Sequence, residues 1–166
     1  MKIHIIGCSG SGKSYLADKL AEQYHLIHYD LDDLQWDNTA SSYGIKMPKE
    51  KRSAMLQRIL KQDNWIVEGV YYKWCRESFD AADRIYLLDL PSYIYKRRII
   101  DRFVKRKLGL AKGKKETFRS LIDLLKWTDE YQTEDMPEIR KILEQNQAKV
   151  RVLSGEKEGS MVLRAH

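Results

Sequence analysis

Residues 7 to 14 read Gly7-Cys8-Ser9-Gly10-Ser11-Gly12-Lys13-Ser14 and follow directly on the apolar run Ile3, Ile5, Ile6. A loop of this composition and spacing folds its backbone N–H groups inward around an anion, and glycine reaches the necessary dihedrals without steric cost. Gly7, Gly10 and Gly12 supply that freedom, Lys13 reaches toward the β- and γ-phosphates, and Ser14 offers a hydroxyl to Mg²⁺. A helix opening near Lys13 aims its positive end at the same phosphates. The stretch as a whole, Cys8, Ser9 and Ser11 included, reads as a nucleoside triphosphate site for ATP with Mg²⁺.

A triphosphate brings Mg²⁺, which keeps several waters and is held by one or two protein carboxylates besides the phosphates and the loop hydroxyl. Asp30, Asp32 and Glu68 are the candidates. Asp30 and Asp32 alternate across an extended chain, which turns one to the metal and the other to the acceptor. We assign Ser14, Asp30 and Glu68 to the metal and Asp32 to the reacting hydroxyl. Asp89, two residues before Pro91, reads as a helix cap.

Further along, Arg98, Arg102, Lys105 and Arg106 share one helical face, with Ile99, Ile100, Phe103, Val104 and Leu108 on the apolar side. Phosphoryl transfer spreads negative charge over three equatorial oxygens and calls for arginine beside the γ-phosphate. Arg98 and Arg102 therefore join Lys13 and Asp32 as catalytic candidates. A segment carrying these arginines can close over the nucleotide and exclude water.

The elements that must position these groups alternate. The sequence predicts strands at 2–7, 26–30, 65–69, 84–90 and 149–154. Helices are expected at 13–24, 48–62, 72–81, 91–109, 115–130 and 136–147, with a loop through 31–47. Pro48, Pro91 and Pro137 fall at helix starts. Such alternation argues a parallel sheet covered by helices on both faces, with ligands at the carboxyl ends of the strands. That rule adds Ser154 and Gly155, just past the last strand, to the nucleotide-binding set.

The chain has 166 residues, a mass of 19.6 kDa and 43% hydrophobic residues, a size for one domain spanning 1–166. Its net charge of +6 is concentrated: eleven basic residues against two acids lie between Lys96 and Arg119, and the remainder is net −3. Such a cluster implies an anionic partner: a triphosphate, a nucleic acid or an acidic membrane surface. The first strand begins within two residues of the amino terminus and no apolar run approaches the ~18 residues of a membrane span, so a cytosolic location without membrane attachment is expected. Cys8 and Cys75 are expected as reduced thiols. Without a Cys-x-x-Cys pair, and with His4, His25, His28 and His166 scattered, no zinc site is implied.

Together, the phosphate loop, the Asp30-x-Asp32 pair, Glu68-Gly69 and the Leu-Asp-x-Pro…Arg98-Ile99-x-x-Arg102 helix resemble the adenylate kinase and shikimate kinase branch of P-loop kinases. Asp30 to Trp36, Trp65 to Tyr71 and Ala82 to Pro91 are further similar to the adenylate kinase-like DNA topology modulation proteins (FlaR-related). The likeness covers about residues 1–130. It implies an α/β P-loop NTPase three-layer sandwich with a five-stranded parallel sheet of order 2-3-1-4-5. It also implies an acceptor site between the second strand and the 48–62 helix, and a helical basic lid over about 102–130. By position, Arg98 and Arg102 would touch adenine and phosphates. Two departures stand out: Glu68-Gly69-Val70-Tyr71-Tyr72 lacks the arginine that grips an acceptor phosphate in nucleoside monophosphate kinases, and the lid lacks zinc-binding cysteines.

The reading is a Mg²⁺-ATP-dependent kinase acting on a nucleotide or a small hydroxyl-bearing acceptor, as a monomer or homodimer. The alternative is a nucleotide-gated nucleic-acid-binding regulator without turnover. A hydrolase or switch would need a water-positioning residue that the sequence does not reveal.

Overall fold

The computed structural model describes the chain except residues 40–43, 112–116, 156–157, 160–161 and 164–166. Lys112, Lys114 and Lys115 of the basic segment, and Glu156, lie outside the described residues. Five strands form one parallel sheet: β1 Lys2–Gly7, β2 His28–Asp30, β3 Trp65–Gly69, β4 Arg84–Leu88 and β5 Val150–Leu153. Their order is β2-β3-β1-β4-β5, as the resemblance implies.

Both faces of the sheet are covered, which is why its central strands read as apolar runs rather than alternating ones. Ile3, Ile5, Ile66, Tyr86 and Leu88 face Leu16, Ala17 and Leu20 of α1 (Lys13–Tyr24). The other face carries Ile6, Trp65, Val67, Ile85 and Leu87. They pack with residues of α3 (Lys49–Leu60), α4 (Arg76–Ala81), α5 (Ser92–Lys107) and α7 (Met136–Leu143). Each fully buried isoleucine contributes roughly 1.5–3 kcal/mol. His4 lies in this second layer, bonded to Ser78 Oγ at 2.8 Å and stacked on Phe79 at 4.2 Å. Burial pushes its imidazole down to about 3, so it is a neutral packing residue.

Pro48 and Pro91 stand immediately before α3 and α5, and Pro137 lies in the first turn of α7. The helix α6 (Phe118–Glu130) opens on a reciprocal Thr117–Ser120 capping box. It then runs through a π-helical turn, Tyr131–Asp135, straight into α7, so no loop separates the two. The expected 31–47 loop instead holds a short helix, α2 (Asp32–Gln35). Asp89 does not cap α5; its carboxylate accepts from Arg140 Nη2 and ties β4 to α7. Among the described residues, no helix is long and apolar enough to cross a membrane.

Candidate active site

At the carboxyl end of β1 the chain turns through Gly10 (φ 78°) and Gly12 (φ 98°), both left-handed, before α1 begins at Lys13. Gly7 is needed for a different reason than the dihedral one expected. A Cβ there would come within 2.7 Å of the Leu88 carbonyl oxygen, so glycine lets β1 pass its neighbour β4. Lys13 folds back over the loop, its Nζ donating to the Cys8 carbonyl at 3.0 Å. The Cys8 side chain is fully buried, and burial pushes its thiol up to about 11. Only the backbone of Cys8 can therefore serve a phosphate.

Beside the loop, Ser14 Oγ donates to Glu68 Oε1 at 2.5 Å. Glu68, the last residue but one of β3, lies opposite Asp30 of β2, and the parallel register makes the two carboxylates neighbours on one face. Burial works to raise the Glu68 carboxyl. His28, the Lys13 ammonium and Ser14 outweigh it and hold the group below its ordinary value, ionised. For Asp30 the balance reverses: burial, then repulsion from Glu68, outweighs the Asp32 N–H bond and pushes its carboxyl up to about 6. Among the described residues no three His, Cys, Asp or Glu side chains converge to cage a metal by themselves. One hydroxyl and two carboxylates beside a phosphate cradle fit Mg²⁺, which takes its remaining ligands from phosphates and water.

A cleft of about 810 Å³ runs from Ser9, Lys13 and Ser14, past Asp30 and Glu68, to Asp32, Gln35, Trp36, Lys46 and Tyr71. Asp30 and Asp32 do not alternate on an extended chain as expected. Asp30 closes β2 and Asp32 opens α2, whose N–H at Asp32 donates to Asp30 Oδ1 at 2.8 Å. Both carboxylates still face the cleft, Asp32 nearer its aromatic end, where Tyr71 Oη donates to Asp32 Oδ1 at 2.5 Å. Behind that end, Arg52 donates to Gln35 Oε1 at 2.6 Å and lies 4.4 Å above the Trp74 ring.

The opposite wall is a stripe of three arginines on α5. Arg98, Arg102 and Arg106 line the cleft at four-residue spacing, while Lys105 is exposed and off it. The apolar side also differs from expectation. Ile94, Tyr95, Ile99 and Phe103 are buried, whereas Ile100, Val104 and Leu108 are exposed. Arg98 Nη1 reaches the carbonyl oxygens of Ser11 at 2.8 Å and Gly10 at 3.4 Å. It separates the cleft from a smaller cavity of about 110 Å³ bounded by Ser11, Gly12, Tyr15, Leu90, Leu153 and Gly155. Gly155 meets that cavity; Ser154 is exposed and donates its N–H to Glu158 Oε2 at 2.6 Å instead.

Several cleft residues had no assignment from the sequence. Tyr71, Trp36 and Gln35 lie in or beside motifs noted above, so their place after β2 and β3 was the available signal. Leu124 and Trp127 reach the cleft from α6, and only the helix pairing reveals them.

The family model for the AAA domain (AAA_18) matches residues 3–119. An uncharacterized protein of Bacillus subtilis (strain 168), YqaC, is 28% identical over 105 residues, which cover 63% of this chain and 57% of that protein. A shikimate kinase from Bacteroides thetaiotaomicron superposes with a TM-score of 0.58 at 14% identity, covering 99% of this chain and 95% of the other. A gluconokinase from Sinorhizobium meliloti 1021 gives 0.57 at 18% identity, covering 98% and 87%. These likenesses show the α/β P-loop NTPase fold.

Proposed function

The chain belongs to the AAA domain family, and from that premise we propose that it is a Mg²⁺-ATP-dependent phosphotransferase acting on a small hydroxyl-bearing acceptor or a nucleotide. One observation carries the reading. A single cleft holds Lys13 and Ser14 at one end, the Asp32–Tyr71 pair at the other and three arginines along its wall. Donor and acceptor groups would thus meet in one cleft, which is what transfer between them requires.

In this reading the inward-facing backbone of the loop and Lys13 hold the β- and γ-phosphates, exchanging the Cys8 carbonyl for phosphate oxygen. Arg98 flanks the smaller cavity, where the base would lie against Gly155 and Leu153. Arg102 and Arg106 face the transferring group and stabilise charge on its equatorial oxygens. Ser14, Glu68 and Asp30 would hold Mg²⁺, which would neutralise charge on the triphosphate. Asp32, oriented by Tyr71, accepts the acceptor's hydroxyl proton. The new oxygen–phosphorus bond forms as the bond from the γ-phosphorus to the β,γ-bridging oxygen breaks. The end of α5 and α6 would form the lid expected over about 102–130, with Leu124 and Trp127 on its inner side. The names of the fold relatives, a shikimate kinase and a gluconokinase, accord with a hydroxyl acceptor.

The further likeness to DNA topology modulation proteins rests on the three motif stretches. Within this proposal that likeness supports the same nucleotide-dependent reading. The nucleic-acid alternative is less favoured, because Arg98, Arg102 and Arg106 line the triphosphate cleft.

Calorimetric titration with Mg²⁺-ATP, followed by assay of γ-phosphoryl transfer to a panel of sugars, sugar acids and nucleosides, tests the proposal. Lys13→Ala removes a charge-assisted contact worth about 1.5–3 kcal/mol, so it should weaken ATP binding at least tenfold. Unchanged binding and turnover in that variant would overturn the site assignment.

A further inference from the structure

The far end of the cleft holds two hydrogen-bond donors that the scheme above leaves unused. Gln35 is 7% exposed, and its Oε1 accepts from Arg52 Nη1 at 2.6 Å. A guanidinium only donates, so this contact fixes which way the amide faces and leaves the Nε2 hydrogens for the cleft that Gln35 lines. Lys46 lines the same end, and among the described residues neither its Nζ nor Gln35 Nε2 has a hydrogen-bond or ion-pair partner. We propose that the phosphoryl acceptor carries an anionic group, a carboxylate or a phosphate, which Gln35 and Lys46 hold while its hydroxyl meets Asp32. The inference rests on the phosphotransferase reading of the cleft.

The backbone brings these groups to one place. Asp32 and Gln35 open and close α2, three residues apart and hence neighbours on its surface, with about 5–6 Å between their Cβ atoms. The chain then runs antiparallel to itself. Asp37 N–H donates to the Ile45 carbonyl at 2.8 Å, and Met47 N–H donates to the Gln35 carbonyl at 2.9 Å. Between these two bonds Trp36 pairs with Lys46, and directly opposed residues of an antiparallel pair share a face. Lys46 is thereby held beside Trp36, and both meet the cleft.

The chemistry of this wall selects its ligand. A lysine ammonium and an amide nitrogen donate and do not accept, so the matching group is one that only accepts. The carboxylates of Asp32 and Glu68 oppose the entry of an anion, which therefore needs a cation beside it. The turn Val70-Tyr71-Tyr72 after β3 supplies none. Lys13 and the arginines serve the triphosphate in this scheme, and among the described residues Lys46 is the cation left for the acceptor. The acceptor so described spans the single turn of α2, its hydroxyl and its anionic group a few bonds apart and its carbon skeleton against Trp36.

The test measures selectivity. Binding in the presence of Mg²⁺-ADP and γ-phosphoryl transfer from Mg²⁺-ATP are followed on the full chain for compounds matched on one carbon skeleton: aldoses and cyclic polyols, the corresponding hydroxy acids, and the corresponding phosphate esters, with nucleosides and their monophosphates. In at least one series the acid or the phosphate ester should bind about 10–100-fold more tightly than its neutral counterpart and exceed it as much in kcat/KM. Which of the two does so identifies the anion as carboxylate or phosphate. Lys46→Gln, a change at an exposed side chain, should lower that selectivity ratio about tenfold or more, and Lys46→Arg should hold it within about threefold. Gln35→Glu keeps the shape and the Arg52 partner but turns a donor into an acceptor, and should lower the ratio at least as far as Lys46→Gln.

If the parent binds Mg²⁺-ATP and no anionic compound binds more tightly than its neutral counterpart, this inference fails alone. A preference for the anion that survives both Lys46→Gln and Gln35→Glu would also overturn it, since the anion would then be held elsewhere. Where Gln35→Glu does not fold, the two Lys46 variants decide by the same criteria. Failure of the parent to bind Mg²⁺-ATP would overturn the phosphotransferase reading and this inference with it.

Discussion

Arg98 Nη1 donates to the Ser11 carbonyl at 2.8 Å, so α5 is tied to a loop 87 residues earlier in the chain. Arg98 therefore registers the arginine stripe against the phosphate cradle before any nucleotide binds. Arg102 follows one turn later on the same wall of the cleft.

The stripe yields a direct comparison. Arg102→Lys keeps the charge and loses the planar fork, and should slow γ-phosphoryl transfer by about 10–100-fold with little change in melting temperature. Lys105→Gln alters an exposed cation off the cleft, and should change the rate less than about twofold. Rate measurements on both variants decide between a shaped arginine site and a diffuse basic patch. Equal losses would mean the patch.

The phosphate loop gives a stability prediction with an internal control. Gly10 and Gly44 both have left-handed backbones, at φ 78° and 88°. A Cβ on Gly10 would meet the Tyr95 carbonyl oxygen at 2.8 Å, while one on Gly44 would have nothing within 4 Å. Gly44→Ala should cost only the backbone strain, about 1–2 kcal/mol. Gly10→Ala should cost about 1–3 kcal/mol more, because backbone must move. Thermal unfolding should separate the two by roughly 2–10 °C. Coincident melting curves would show that the loop does not pack on α5 as described.

How far the sequence carried these arguments differs between the two walls of the cleft. The loop, Glu68 and the arginines were legible because each is local: a fixed spacing, a strand end, a helical period. The short helix α2 was not, since four residues containing two aspartates show no apolar period. Its presence turns Asp30 and Asp32 into a strand end and a helix start. The apolar side of α5 was misread because Ile100, Val104 and Leu108 fit the period as well as Ile94 and Tyr95 do. What decides between them is which side meets the sheet, and that is tertiary. Leu124 and Trp127 depend on how α6 folds back along α5, which no local pattern encodes.

The Asp30 carboxyl carries a pH dependence. It ionises at 3.8 in the unfolded chain and is pushed up to about 6 in the fold, by burial and then by Glu68. Folded protein therefore holds this proton more tightly. Its stabilising contribution is complete below about pH 4 and is lost as pH rises through about 6. Asp30→Asn, which can still accept the Asp32 N–H, should raise stability at pH 7.5 in metal-free buffer by an amount of order 1–3 kcal/mol. Near pH 4 the gain should vanish. The same variant should bind Mn²⁺-ADP more weakly, because the repelled carboxylate is one the metal would use. Denaturant unfolding at the two pH values checks the sign: a loss of stability at pH 7.5 would show that Asp30 is stabilised as an anion by a partner among its neighbours.

Binding and chemistry can be separated at the far end of the cleft. Asp32 takes a hydrogen bond of 2.5 Å from Tyr71 Oη and stands in the same cleft as Lys13. If Asp32 accepts the acceptor's proton, Asp32→Asn should lower kcat by about 10²–10⁴ while ATP affinity stays within about twofold of the parent. Tyr71→Phe leaves the carboxylate in place but unaligned, so its loss should be intermediate, near tenfold. Its effect should largely disappear in an Asp32→Asn background, because the two side chains act as one unit. Single-turnover transfer rates and ATP titrations on the two single variants and the double variant measure this directly. Additive losses, or a fall in ATP affinity equal to the fall in rate, would move Asp32 from proton acceptor to part of the nucleotide site.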